Sequence, residues 1–172
     1  MTEREAHIRL AGVVRESIVD GPGIRFVVFC QGCPHHCPGC HNRQTHDFSG
    51  GYDCEVGRIV EAVDENPLLD GVTFSGGEPV CQSEGFLALA RQIKARGLHI
   101  VMYSGYTFEE LLLRAENDAA LDELLHLIDV LIDGRYEADS RDLTLAFRGS
   151  KNQRALDLPS SLEQKRPVAA WA

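Results

Sequence analysis

Ile24-Arg25-Phe26-Val27-Val28-Phe29-Cys30-Gln31-Gly32-Cys33-Pro34-His35-His36-Cys37-Pro38-Gly39-Cys40 is the stretch on which the reading of this chain turns. Its first seven residues are rich in β-branched and aromatic side chains, the composition of a buried strand. Directly beyond them, thiols at positions 30, 33, 37 and 40 alternate with proline, histidine and glycine. Isolated cysteines usually behave as small buried hydrophobes, but a Pro- and Gly-rich loop offers no apolar face to pack. It does let several thiolates converge on one centre, so ligation of a metal or cluster is favoured. The stretch therefore predicts a strand whose carboxyl end carries chemistry.

Working outward, residues 8–14 read as an earlier strand, joined to the second by a turn containing Asp20, Gly21, Pro22 and Gly23. Val56, Ile59, Val60 and Val63 fall at helical spacing before the Asn66-Pro67 stop. A strand at 72–74 follows. Phe86, Leu89, Ala90 and Ile93 repeat the helical spacing before Gly97, and 100–103 is again a buried-type strand. Thr107 and Glu110 form a capping box opening a region that continues through Leu121, Leu124, Leu125 and Ile128, and 130–132 is one more strand.

Strands alternating with helices imply βαβ crossovers and a mostly parallel sheet, with ligands bound outside the strands' carboxyl ends. A complete eight-fold barrel takes about 250 residues. At 172 residues, the chain predicts instead an α/β fold with a partial, open barrel in one domain over residues 1–172. The core spans about 8–158; the residues after about Leu156 are mixed and weakly periodic, so the tail, about 159–172, is expected to be irregular or peripheral.

With 44% hydrophobic and 25% charged residues the composition is globular. The charged N-terminus, Met1 through Glu5, lacks a secretory pattern, and no apolar run reaches membrane-spanning length, which predicts a cytoplasmic protein. A formal net charge of -9 argues against nucleic acid, whose backbone is bound by clustered Lys and Arg. Six cysteines in a reducing compartment read as ligands or buried thiols rather than disulfides.

Two ligation schemes compete on the cysteines alone: four thiols closing a zinc or iron-sulfur site, or Cys33, Cys37 and Cys40 binding a four-iron cluster. Closed zinc sites normally use two separated ligand pairs. Cys30, ending an apolar strand, is read as a core thiol. Three ligands would leave one iron open for something else to bind. His35, His36 and His41 beside the cysteines are read as solvent-facing rather than as ligands. His7, His46, His99 and His126 form no constellation, and the acidic residues between Glu109 and Glu123 follow polar helix faces.

At the end of the next strand stands Thr73-Phe74-Ser75-Gly76-Gly77-Glu78-Pro79. Paired glycines there permit close ligand approach beside a carboxylate. The cysteine trio and this turn together resemble the radical S-adenosylmethionine superfamily. Ser17 to Gly23, Gly32 to Asn42, Tyr103 to Tyr106, Leu131 to Gly134 and Phe147 to Arg154 resemble, more narrowly, its glycyl-radical-activating enzymes of anaerobic ribonucleotide reduction. The resemblance covers about residues 14–158.

The resemblance implies that Cys33, Cys37 and Cys40 ligate a 4Fe-4S cluster and that Gly39, Cys40 and His41 line the S-adenosylmethionine site. The turn at Gly76, Gly77 and Glu78 would contact the methionyl amino group, with Ser104 and Asp133 as further pocket residues. It implies reductive cleavage of S-adenosylmethionine by an electron from a donor such as reduced flavodoxin. The resulting 5'-deoxyadenosyl radical would take hydrogen from a glycine of the large reductase subunit. Iron-sulfur potentials reach as low as about -700 mV, the range such cleavage needs. The alternatives are a short radical enzyme acting on a small molecule, an activator of pyruvate formate-lyase, and a non-enzymatic zinc or electron-transfer module. The Phe147 to Arg154 segment argues against the first two, and the Gly-Gly-Glu turn is unexplained by the third.

Overall fold

A computed structural model describes residues 2–171. Its strands and helices run β1 (His7–Ser17), β2 (Arg25–Cys30), β3 (Tyr52–Glu55), α1 (Val56–Asp64), β4 (Gly71–Gly76), α2 (Ser83–Ala95), β5 (His99–Ser104), α3 (Phe108–Ala115), α4 (Ala119–Leu125), β6 (Val130–Asp133), β7 (Arg154–Asp157) and α5 (Leu158–Gln164). One open, seven-stranded sheet results, in the order β3-β1-β2-β4-β5-β6-β7. Its centre, β2, β4, β5 and β6, is parallel. The strands flanking this centre pair antiparallel: β1 with β2, β3 with β1, and β7 with β6. The expected open α/β architecture is thus present, and each expected helix face and strand is found.

Alternation along the strands sorts residues between two faces. Phe26, Val28 and Cys30 of β2, Val72 and Phe74 of β4, and Ile100 and Met102 of β5 pack into the main core with Val60, Phe86, Leu89, Ile93, Leu121 and Leu124 from the helices. The opposite face carries a much smaller apolar cluster, Val101, Val130, Ile132 and Ala155, against which Tyr103, Phe147 and Trp171 pack. Helix starts follow local chemistry. Thr107 and Glu110 form the expected capping box on α3, and Asp118 caps α4 by accepting from Leu121 N–H at 3.0 Å.

β3 and the C-terminal elements are additions to the pattern read from sequence. β3 and β7 each span four residues at the sheet margins, too short for a period to register. The tail corrects one half of its expectation: it lies at the periphery but is not irregular. Asp157 caps α5 by accepting from Ser160 N–H at 3.1 Å, with Pro159 in the first turn. The chain then doubles back onto β7 through Asp157 N–H to Val168 O and Ala170 N–H to Ala155 O. An Asp followed by Leu-Pro was a readable helix start.

Candidate functional site

The parallel strands end level with one another: Cys30 pairs with Gly76, and Ser104 with Asp133. From Cys30 the chain turns over these ends. Gly32 N–H donates to Thr45 O at 2.7 Å and Cys33 N–H to His46 O at 3.1 Å, while the Gln31 amide donates to Gln44 O and Asp47 O. The loop is thereby sewn to the returning arm, residues 42–47. Beneath it opens a cleft of about 810 Å³ whose walls include Cys33, Cys37 and Cys40, the Ser75-Gly76-Gly77 backbone and Tyr103 to Gly105. A cleft of this size is in the ordinary range for a cofactor site.

All three thiols of the trio face this one space, and each meets a backbone N–H. The amides of His35 and His36 donate to Cys33 and that of Tyr136 to Cys37. Asn42 N–H points at Cys40 Sγ at 3.4 Å. Burial pushes the Cys33 and Cys37 thiols up, and these amide donors pull in the opposite direction. Amides aimed at sulfur suit thiolate ligands of an iron-sulfur cluster. Among the described residues no three ligand side chains gather as one metal ion requires; in a four-iron cluster each thiolate sits on its own iron. Cys30 is fully buried in the main core. Burial, then the nearby Glu78, raise its pKa well above the ordinary thiol value.

The glycine turn is tied to the cysteine loop through backbone. Gly77 N–H donates to Cys30 O and Glu78 N–H to Gly32 O, both at 2.8 Å. A Cβ on Gly77 would collide with the Gly32 carbonyl, its carbon at 2.8 Å, and a Cβ on Gly76, where φ is +106°, would strike the Cys30 backbone. Close approach is therefore required at both glycines by the backbone of β2 and of the loop that follows it.

Glu78 itself is completely buried. Its Oε1 accepts from Gly105 N–H at 2.8 Å, from His35 Nε2 at 2.8 Å and from the Ser104 hydroxyl at 3.1 Å; Oε2 accepts from Ser104 at 3.0 Å and Val80 N–H at 3.1 Å. Ser104 thus stands behind the turn. Its hydroxyl is engaged with the carboxylate, although the residue touches the cleft.

Asp133 is absent from the walls of the main cleft but lines an adjoining one that shares Gly105, Gly134 and Arg135 with it. Its carboxylate is buried under Arg154 at 2.5 Å and accepts from Phe108 N–H at 2.7 Å, so it anchors the start of α3. His41 and Cys40 line the cleft, and His41 stacks obliquely on Tyr136 at 5.2 Å. Gly39, at φ +74°, belongs to the exposed outer arc of the loop.

His35 corrects the expectation of a solvent-facing ring. Its side chain is only 5% exposed, set between Glu78 and Arg135, whereas His36 and His41 are exposed as expected. His46 lines the cleft and meets His36 edge-on at 5.3 Å. Burial, with His36 and Arg43 nearby, lowers its pKa.

Arg25 also went unread as a functional residue. It interrupts an apolar strand and lies fully buried, donating to Thr73 Oγ1, Pro22 O, Val72 O and His99 O. Burial lowers its pKa to about 10. Thr73 in turn donates to Asp20 O at 2.7 Å, so the Asp20 to Gly23 turn is held to the sheet and Ile18 and Val19 reach the cleft mouth. The 147–154 segment closes the other side. Gln153 accepts from Gly149 and Ser150 N–H and donates to Gly134 O. Phe147 adopts a left-handed φ of 61° with its carbonyl held by the Tyr103 hydroxyl at 2.6 Å.

Residues 19–156 match the family described as a 4Fe-4S single cluster domain. The chain is 36% identical over 144 residues to the anaerobic ribonucleoside-triphosphate reductase-activating protein of Salmonella typhi, covering 79% of this chain and 90% of that protein. The protein of the same name from Enterobacteria phage T4 is 35% identical, with 79% and 85% covered. The pyruvate formate-lyase 1-activating enzyme of Escherichia coli is 35% identical over 89% of this chain and 61% of its own length. Among solved structures, QueE from Escherichia coli matches with a TM-score of 0.47 at 14% identity, over 59% of this chain and 53% of that one. With its three thiols on one cleft and matches of this length and identity, the chain belongs to the family of anaerobic ribonucleoside-triphosphate reductase-activating proteins.

Proposed function

We propose that this protein is a radical S-adenosylmethionine activase that generates a glycyl radical on the large subunit of the anaerobic ribonucleoside-triphosphate reductase. The observation that carries the reading is the meeting of Cys33, Cys37 and Cys40 with the Ser75 to Gly77 backbone on one cleft at the strand ends. The three thiols hold a single 4Fe-4S cluster. When bound, that cluster supplies an open iron and a low-potential electron for cleaving the sulfonium of S-adenosylmethionine into methionine and a 5'-deoxyadenosyl radical. Hydrogen taken from the reductase glycine converts the latter to 5'-deoxyadenosine and leaves the radical stored on protein.

The chain's own residues bind and orient. Backbone of the Gly76-Gly77 turn receives the methionyl end, with Glu78 and Ser104 fixing that turn from behind, and Cys40 and His41 line the same cleft. Exposed Ile18, Val19 and Leu143 rim the mouth, an apolar border suited to a peptide segment rather than a small polar substrate. Reduced flavodoxin is proposed as the electron donor and the cytoplasm as the compartment. Among the described residues no helix is long and apolar enough to cross a membrane. One seven-stranded sheet underlies the whole site, which supports treating residues 1–172 as one domain.

The test is anaerobic reconstitution with iron and sulfide, reduction, and assay of 5'-deoxyadenosine with and without the reductase subunit. The expected product is a glycine-centred doublet in the electron paramagnetic resonance spectrum that collapses when the α-hydrogen is deuterium. A silent reductase alongside turnover stimulated by a purine or pterin would overturn the reading.

A further inference from the structure

The cysteine loop is mostly exposed: Pro34, His36, Pro38 and Gly39 all face solvent. His35, midway between Cys33 and Cys37, does the opposite. Its imidazole turns inward, meets Tyr106 edge-on at 4.6 Å, and covers Gly105 so closely that a Cβ there would lie 2.7 Å from Nε2. Both ring nitrogens are used. Arg135 Nε donates to Nδ1 at 3.1 Å, which places the proton on Nε2, and Nε2 donates to Glu78 Oε1 at 2.8 Å. The carboxylate it reaches belongs to the Gly-Gly-Glu turn and is itself wholly buried.

From this geometry we infer that His35 is a positioning residue: it locks the arc of chain between two cluster ligands onto the turn that receives S-adenosylmethionine. The inference rests on the function proposed above. Two consequences follow from the hydrogen bonds. The arc is pinned at its middle, so the His35 and His36 amides stay aimed at Cys33. Glu78, accepting from the Ser104 hydroxyl and Gly105 N–H, ties the arc to the end of β5 as well. Any shift of the cysteine arc must therefore move the cosubstrate turn with it. Partners of this kind, one bond removed from the ligands, typically govern metal retention and activity by about 10–100-fold.

His35→Gln and His35→Asn form the discriminating pair. The longer amide reaches Glu78 from the place of Nε2, whereas the shorter one preserves only a contact at the place of Nδ1. In the reconstituted protein without reductase, His35→Asn and His35→Ala are expected to lose iron to a chelator about tenfold faster than the unaltered protein. They should also need about tenfold more S-adenosylmethionine to shift the reduced cluster's resonance signal, and His35→Gln should recover most of both. In the metal-free unaltered protein, nitrogen-15 spectra should place His35 in the Nε2–H tautomer with a slowly exchanging proton. Equal behaviour of the Gln and Asn variants would overturn the inference, as would a freely exchanging His35 ring. Because none of these readouts uses the reductase, failure to form a glycyl radical would overturn the activase reading alone.

Discussion

On the helix-covered face of the sheet, Phe26, Val28, Phe74, Ile100 and Met102 are sealed against α1, α2 and α4, and the Phe74 and Phe86 rings lie 4.8 Å apart. On the opposite face the same strands present Arg25, Phe29, Thr73, Ser75 and Tyr103, a buried charge and hydroxyls among few apolar contacts. One face holds the sheet together by apolar burial. The other is held by directed hydrogen bonds from Arg25, Thr73 and Tyr103 to neighbouring strands and to the loops at Asp20, Pro22 and Phe147, beside an open cleft. The difference teaches that strand alternation sorts apolar from polar side chains one residue apart along the same chain, while the candidate ligands stand on the loop beyond the strand end.

The sharpest way to break this comparison lies at the boundary between the faces. Replacing Cys33, Cys37 or Cys40 singly by Ala should abolish the cluster, whereas Cys30→Ala, on the core side, should retain it, as should Cys54→Ala and Cys81→Ala; iron content and low-temperature paramagnetic resonance decide. Loss of the cluster in Cys30→Ala would mean that the core face also contributes to the site.

Next in size is Phe86→Ala, which should cost about 3–5 kcal/mol in denaturant unfolding because it empties the main core. Ile18→Ala at the exposed cleft mouth should stay within about 0.5 kcal/mol. A comparable loss at both positions would erase the distinction between the faces.

Gly77→Ala sharpens the comparison at the site itself. Its new methyl meets the Gly32 backbone, so about 1–3 kcal/mol of stability should be lost together with iron retention. A stable variant with weakened S-adenosylmethionine response alone would return the demand for glycine to the ligand.

Smallest is the surface pair of Asp64 with Arg96, where Nε donates to Oδ1 at 2.6 Å. The Arg96 hydrogen bond holds the Asp64 carboxyl below its ordinary value. Its contribution is therefore present above the unfolded carboxylate range and lost as pH falls through the lowered folded value. Asp64→Asn should cost under about 1 kcal/mol at neutral pH and remove a little of the acid-side slope in a stability titration.

Much of the fold was legible because parallel strands buried on both faces read as apolar runs and the helices carry clear stripes. β3 and β7 were not, since four-residue margin strands gain their identity from the partner they pair with. At the site, the trio and the Gly-Gly-Glu turn were visible as spacing. His35 was hidden because its inward turn depends on Glu78 and Arg135, distant in sequence, and nothing in the loop's composition distinguishes it from His36. At Asp133 the sequence shows a strand-end carboxylate but not the Arg154 that pairs with it, 21 residues further along the chain. Arg25 did leave a signal, a cation within an apolar strand, whose meaning needed the acceptors around it.

The backbone bonds from Gly77 to Cys30 and from Glu78 to Gly32 carry a consequence for assembly. They join segments separated by β3 and α1, so the cluster's cradle exists only after a non-local parallel pairing has formed, a slow kind of contact to make. That pairing is secured by apolar residues that touch no iron. The contacts that shape the cradle are thus backbone bonds and apolar packing rather than bonds to metal, unlike a zinc finger, whose chain is unfolded until metal arrives.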